Sequence, residues 1–268
     1  MNYKPIIIIA GEPNSIFLEI LFKSIQKIKI RSPIILICSE KLFNLQMKIL
    51  NKKIDFNTIN IDDIYKKRIK KNTVNLINID FKFKKPFGSI SKKSNTYIEN
   101  CFKLALQLVN NGVSNKLING PISKKYFLRN RFLGITEYLA SKTKSKNYAM
   151  LIYNKNLSVS PITTHLPLRA VAKKINKRDI LNRIKLINDF YKKKLKIIPR
   201  IGVTGLNPHC ESFGSISEDD LIIKPIINKL AKLNYKIYGP FAADTIFMKQ
   251  NRKNLIVIHT DYHIKFFS

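Results

Sequence analysis

The chain holds four histidines, His165, His209, His259 and His263. A neutral imidazole is the commonest metal ligand, and a single one cannot hold a metal. His165 lies in Ser160-Pro161-Ile162-Thr163-Thr164-His165-Leu166-Pro167-Leu168-Arg169, straight after a strand-like segment and just before a helix. It is read as a metal ligand. Taken alone, a histidine at a strand end is more often a hydrogen-bonded structural residue, so the ligand reading depends on partners. His209, in Gly205-Leu206-Asn207-Pro208-His209-Cys210-Glu211, and the late pair His259 and His263 are the candidates.

A second feature is Gly120-Pro121-Ile122-Ser123-Lys124. A backbone turn with a lysine at a strand's carboxyl end is where open α/β sheets bind ligands. A turn carrying a solvated lysine accounts for it equally well. The cysteines Cys38, Cys101 and Cys210 are far apart and form no C-x-x-C pair, so neither a disulfide framework nor a zinc ribbon is indicated. Cys210 adjoins a proposed ligand, yet is expected to be a buried free thiol. The dinucleotide fingerprint G-x-G-x-x-G, the phosphate loop ending in Gly-Lys-Ser/Thr and the G-x-S-x-G elbow of hydrolases are all missing from the sequence.

The elements that must carry these residues alternate. Pro5 to Ala10 and Pro33 to Cys38 are β-branched runs that read as strands buried on both faces, as in a parallel sheet, and Thr73 to Ile79 is a third. Helices are expected from Ile16 through Lys23 and over Leu42 to Leu50. Thr96 to Asn111 carries a stripe of Ile98, Cys101, Phe102, Ala105, Leu108 and Val109, and Gly112 sits where a helix C-cap belongs. Lys116 to Asn119 is a short strand, and Gly134 to Ala140 begins a helix. Strands over Tyr148 to Tyr153 and Leu157 to Thr163 lead to His165. A helix from Lys177 to Leu195 buries Ile180, Ile184, Ile187 and Tyr191, with Asn176 as its cap and Asp179 three positions on. Arg200 to Leu206 is the strand that delivers His209, Glu218 to Leu233 is helical, Lys236 to Tyr238 is a short strand, and Asn254 to Ile258 is the last strand, before His259. This alternation predicts an α/β fold with a largely parallel sheet.

Composition narrows the class. The length and the 45% apolar content allow a large core in one large domain or two ordinary ones. No stretch approaches the roughly 20 apolar residues of a membrane helix, and the opening apolar run is too short for a secretory core, so the expected location is cytoplasmic. The net charge of +32 raises nucleic-acid binding. Apart from Lys66-Lys67-Arg68-Ile69-Lys70-Lys71, however, the lysines are spread along the whole chain, which argues against it. A solvated basic surface that attracts phosphorylated metabolites explains the charge with less machinery.

Five motifs in order resemble the 4-hydroxythreonine-4-phosphate dehydrogenase family of vitamin B6 biosynthesis, and the likeness extends from residue 5 to residue 263. Thr163-Thr164-His165-Leu166-Pro167-Leu168-Arg169 is similar to the family's most distinctive run, and Gly205-Leu206-Asn207-Pro208-His209 to its second. Gly239-Pro240 with Ala243-Asp244-Thr245-Ile246-Phe247, Gly11-Glu12-Pro13 and Gly120-Pro121-Ile122-Ser123-Lys124 resemble three more.

The resemblance implies an isocitrate/isopropylmalate dehydrogenase-like fold of two α/β domains, placed at 1-125 and 126-268, the second binding metal and forming the dimer. It implies a homodimer with its active site at the subunit interface and a divalent metal (Zn, Mg, Mn or Co) held by His165, His209 and a third histidine. Tyr262-His263 lies at the family's usual distance after the Ala-Asp-Thr segment, which favours His263 over His259. One of the three ligands comes from the partner subunit in this family. The implied reaction is NAD- or NADP-dependent oxidation of 4-phosphooxy-L-threonine to a β-keto acid that decarboxylates to 3-amino-2-oxopropyl phosphate, in pyridoxal phosphate biosynthesis. Thr136 and Lys124 are the substrate-binding candidates. Where the family has a His-Thr pair, this chain has Ile135-Thr136, and Ile135 can neither donate nor accept a hydrogen bond. The other readings are a paralogue acting on another 4-phosphorylated hydroxy acid or a dihydrodiol carboxylate, a nucleic-acid binder on a dead scaffold, and an inactive remnant.

Past His263 the family continues with Asp-Gln, substrate-gripping residues and closing elements of the first domain, whereas this chain reads Ile264-Lys265-Phe266-Phe267-Ser268. Ile-Lys-Phe-Phe can arise from an Asp-Gln-Val-Leu coding stretch by loss of its first G, so an early frameshift, with the closing elements missing, is the expectation beside a genuinely short variant. A frameshifted chain is expected to be weakly soluble and nearly inactive while keeping the metal histidines. Sequencing across codon 263 from independent template separates the two.

Overall fold

The computed structural model of the chain describes residues 3–129, 131–210, 217–252, 255 and 257–260. Its packing divides the chain into two compact units, Met1–Ile135 and Thr136–Ser268.

The first unit runs β1 (Ile6–Ile9), α1 (Phe17–Lys27), β2 (Ile34–Cys38), α2 (Glu40–Ile49), β3 (Phe56–Thr58), α3 (Ile61–Tyr65), β4 (Val74–Asn78), α4 (Asn95–Asn110) and β5 (Leu117–Asn119). Its sheet is ordered β3-β4-β2-β1-β5 with every pairing parallel. All five residues of β2 are buried, because helices cover both faces and leave no polar side to alternate with. Helix α1 turns Leu18, Leu21 and Phe22 inward, and Phe22 meets Phe43 of α2 edge to face at 5.1 Å. Helix α4 buries Ile98, Cys101, Phe102, Ala105 and Leu108, as its periodicity predicts, and Gly112 follows it at φ +74°. That left-handed turn closes the helix at little cost only with glycine.

The second unit runs α5 (Ile135–Lys142), which starts at the boundary, then β6 (Ser158–Pro161), α6 (Leu168–Lys174), α7 (Lys177–Phe190), β7 (Ile201–Thr204), α8 (Lys224–Lys232), β8 (Ile237–Phe241), α9 (Lys249–Arg252) and β9 (Val257–Thr260). The order β6-β9-β7-β8 is again wholly parallel. Helix α7 packs Ile180, Ile184 and Ile187 with Tyr191 onto Ile201 and Val203 of β7 and onto Ile226 and Leu230 of α8. Each such fully buried aliphatic side chain contributes about 1.5–3 kcal/mol. Asn176 caps α7 as expected, accepting from the Asp179 amide at 2.9 Å.

The α/β class and the parallel sheets are as the sequence predicts. Four details differ. Tyr148 to Tyr153 is not a strand: it makes one antiparallel bridge, Ile152 to Val159, and Tyr148, Ile152 and Tyr153 are exposed. Ala149 and Leu151 pack against the core of the unit, but a single bridge is too little pairing to make a strand. The last strand begins at Val257 and takes in His259, so that histidine lies within β9 and does not follow it. Cys210 is only half-buried, whereas Cys38 and Cys101 are buried as expected. Strand β3 and helix α3 were not predicted, since β3 has three residues and none of them is buried.

No helix among the described residues is long and apolar enough to cross a membrane.

Candidate metal centre and substrate site

Strands β6 and β7 both run parallel to β9, which lies between them, so all three carboxyl ends reach the same edge of the second unit's sheet. His165 follows β6 and His209 follows β7. Both histidines are exposed, and both have left-handed backbone, φ 59° and 55°. Positive φ is uncommon for residues other than glycine, and such conformations cluster where side chains are held for function.

Two carboxylates hold the loops that carry these imidazoles. Asp219 is fully buried and accepts hydrogen bonds from the Leu206 amide at 2.7 Å, the Asn207 amide at 3.1 Å and the Asn207 side-chain amide at 2.9 Å. This fixes the turn leading to His209. Gly205 makes the approach possible, because a Cβ there would lie 2.6 Å from Cys210 Sγ and 2.9 Å from Asp219 Oδ1. On the other loop, Thr164 Oγ1 donates to Glu137 Oε1 at 2.7 Å, tying the residue before His165 to the start of α5. Thr136, the expected substrate contact, immediately precedes Glu137 and is half-buried, as is Ile135. The other oxygen of Glu137, Oε2, is buried with no hydrogen-bond partner.

The edge also carries Cys210, half-buried, and burial pushes its thiol above the usual range. Among the described residues no cluster of three or more His, Cys, Asp or Glu side chains could hold a metal ion. His263, the expected third ligand, lies outside the described residues. The donor set still fits a divalent cation: two exposed imidazoles stand at one sheet edge, on loops held from behind by the buried Asp219 and the half-buried Glu137.

In the first unit the loops after β1 and β5 come together. The Glu12 amide donates to the Pro121 carbonyl at 2.8 Å, and a Cβ on Gly11 or Gly120 would collide with the opposite backbone. The Glu12 carboxylate is buried there, accepting from Ser94 Oγ at 2.8 Å and from the Asn14 amide at 3.3 Å. Lys124 opens a π-helical turn, Lys124–Leu128, whose Ser123 cap accepts from the Tyr126 amide at 3.1 Å, and its own side chain is exposed.

Sequence reasoning passed over Asp219 and Glu137. The run Glu218-Asp219-Asp220 reads as ordinary acids opening a helix, and nothing in it announces that the middle one is buried.

A family model described as the pyridoxal phosphate biosynthetic protein PdxA matches residues 29–264. A 4-hydroxythreonine-4-phosphate dehydrogenase of Sulfurihydrogenibium sp. (strain YO3AOP1) is 34% identical over 243 residues, covering 88% of this chain and 74% of that protein. A D-threonate 4-phosphate dehydrogenase of Salmonella typhimurium is 25% identical, covering 98% and 82%. The crystal structure of a 4-hydroxythreonine-4-phosphate dehydrogenase from Burkholderia phymatum superposes with TM-score 0.78 at 25% identity, covering 98% of this chain and 81% of that one.

Proposed function

The chain belongs to the family of the pyridoxal phosphate biosynthetic protein PdxA, a family of dehydrogenases, and from that premise we propose that it oxidises the 3-hydroxyl of 4-phosphooxy-L-threonine. The β-keto acid so formed loses carbon dioxide to give 3-amino-2-oxopropyl phosphate. The observation that carries the reading is the pair His165 and His209, exposed in left-handed backbone at one edge of a parallel sheet.

His165, His209 and His263 would hold a divalent metal, one of them across the interface of a homodimer. When bound, the metal supplies Lewis acidity at the substrate hydroxyl, and NAD or NADP accepts the hydride. No residue of this chain is assigned to the dinucleotide.

The chain's own groups position and bind. Asp219 and Glu137 fix the loops on which the histidines stand, so that the imidazoles need not be reordered when the site fills. The Thr136 hydroxyl offers a hydrogen-bond donor to the substrate, and Lys124 a cation suited to its phosphate. Ile135 contributes shape without a polar contact.

A second reading rests on the D-threonate relative, 25% identical over nearly all of this chain. The two substrates differ at C2, an ammonium against a hydroxyl. Following NADH formation from each, with the protein loaded with Zn, Mg, Mn or Co in turn, decides between them. Turnover of 4-phosphooxy-L-threonine with the higher kcat/KM supports the first reading. Turnover of D-threonate 4-phosphate alone replaces it with the second, and turnover of neither sinks both.

A further inference from the structure

We propose that the second unit carries an anion site in a polar cavity between the segment after α5 and the first turns of α7, suited to a phosphate group on a small metabolite. The cavity has a volume of about 400 Å³, and Lys146, Arg178 and Arg183 line it together with Asn147, Asn182 and Asp179. That is room for a ligand of metabolite size. Three cations face one carboxylate, and that carboxylate is engaged: Asp179 Oδ2 accepts from the Asn176 side-chain amide at 2.8 Å. Among the described residues neither Lys146 nor Arg178 is in an ion pair. Cations held on one concave wall raise the local concentration of anions and form charge-assisted hydrogen bonds to them.

The chemistry favours phosphate over a lone carboxylate. Two guanidinium groups and an ammonium supply more donors than one carboxylate can accept, whereas a phosphate dianion offers three oxygens. The side-chain amides of Asn147 and Asn182 add neutral donors, which a bare counterion would not require. Arg183 is already anchored, donating from Nη1 to the Pro161 carbonyl at 3.0 Å. It therefore enters the site with part of its side-chain entropy spent, and Pro161 closes the strand that leads to His165. Arg178 and Lys146 are exposed, so removing their charge leaves the core intact.

The net charge of +32 on the whole chain makes a control essential. Pyrophosphate binding is measured by equilibrium dialysis at constant ionic strength held with chloride, on the full chain, on Lys146→Gln/Arg178→Gln, and on the equally charge-depleted Lys66→Gln/Lys67→Gln from the basic run in the first unit. Expected is one saturable site whose Kd rises at least about tenfold in the cavity variant and stays within about twofold in the control. Equal binding by the cavity variant, or an equal loss in the control, overturns the proposal, the latter assigning the effect to diffuse surface charge. A parallel titration with citrate at the same ionic strength distinguishes the ligand chemistry. Tighter binding of citrate than of pyrophosphate, lost in the same variant, refutes the phosphate assignment.

Discussion

Asp219 binds Asn207 twice, through the backbone amide at 3.1 Å and the side-chain amide at 2.9 Å, from a carboxylate that is completely buried. The helical element that starts at Asp219 is thereby joined to the turn that leads to His209. Hydrogen bonds to a buried charged acceptor are each worth about 1.5–3 kcal/mol, and removing the acceptor leaves amides unsatisfied. Asp219→Ala is therefore expected to lower the unfolding free energy by about 3 kcal/mol or more, measured by urea denaturation. Asp219→Asn, which keeps the shape but brings an extra donor, should fall between. A loss below about 0.5 kcal/mol in the alanine variant would show that the turn is held by something else.

The Thr164 to Glu137 bond allows a test that spares the histidines themselves. Thr164→Val keeps the volume and removes the donor. Divalent metal affinity, read by titration against a competing chelator, should weaken about tenfold, in the range seen when groups supporting a ligand are lost. Unchanged affinity would leave the bond a purely structural tie.

Metal removal gives a direct readout of the histidine set. His165→Ala and His209→Ala should each bind substoichiometric metal after dialysis, with NADH formation lost and not rescued by the wild-type metal concentration. His259→Ala, in contrast, should keep its metal, because the family distance assigns the third ligand to His263. Loss of metal in His259→Ala with retention in a His263→Ala variant would reverse that assignment.

Ile135 predicts a gain. Its side chain is half-buried at the start of α5, beside Thr136. Ile135→His adds a hydrogen-bonding group, worth about 1 kcal/mol, so KM for the preferred substrate should fall about fivefold with kcat little changed. A fall in kcat with KM unmoved would place residue 135 away from the bound substrate.

The buried thiols set the alkaline limit of the first unit. Burial raises Cys101 from 9.0 to about 12 and pushes Cys38 well above 9.0. Below the unfolded value both states keep the protons, and the stability is intact. As pH rises beyond 9.0 the unfolded thiols ionise while the folded ones do not, so stability falls from there toward about pH 12. Urea midpoints should therefore drop between pH 8 and pH 10.5, and less so in Cys38→Ala/Cys101→Ala than in the parent. In the native chain a thiol reagent should modify half-buried Cys210 first, reaching Cys38 and Cys101 only on unfolding.

The sequence alone determined the α/β class, because runs such as Ile6–Ile9 and Ile34–Cys38 can be stable only where both faces of a sheet are covered. It determined α4 and α7, whose stripes of buried residues and caps at Gly112 and Asn176 are local properties of the chain. It also marked His165, His209, Thr136 and Lys124, since residue type and short motifs survive without a fold. Tertiary structure decided the rest. Tyr148 to Tyr153 has strand-like composition and forms no strand, because pairing depends on what lies opposite: it makes a single bridge to β6, and only Ala149 and Leu151 pack on the core while Tyr148, Ile152 and Tyr153 stay exposed. The strand order β6-β9-β7-β8, which sets the ends before His165 and His209 on one edge, is a matter of long-range pairing that no local pattern encodes. Asp219 shows the difference most clearly. Its neighbours Glu218 and Asp220 have the same chemistry, and Glu218 also accepts from the Asn207 side-chain amide at 3.3 Å, but only Asp219 is buried and binds the backbone amides of the 206–207 turn, which makes it the anchor of a histidine loop.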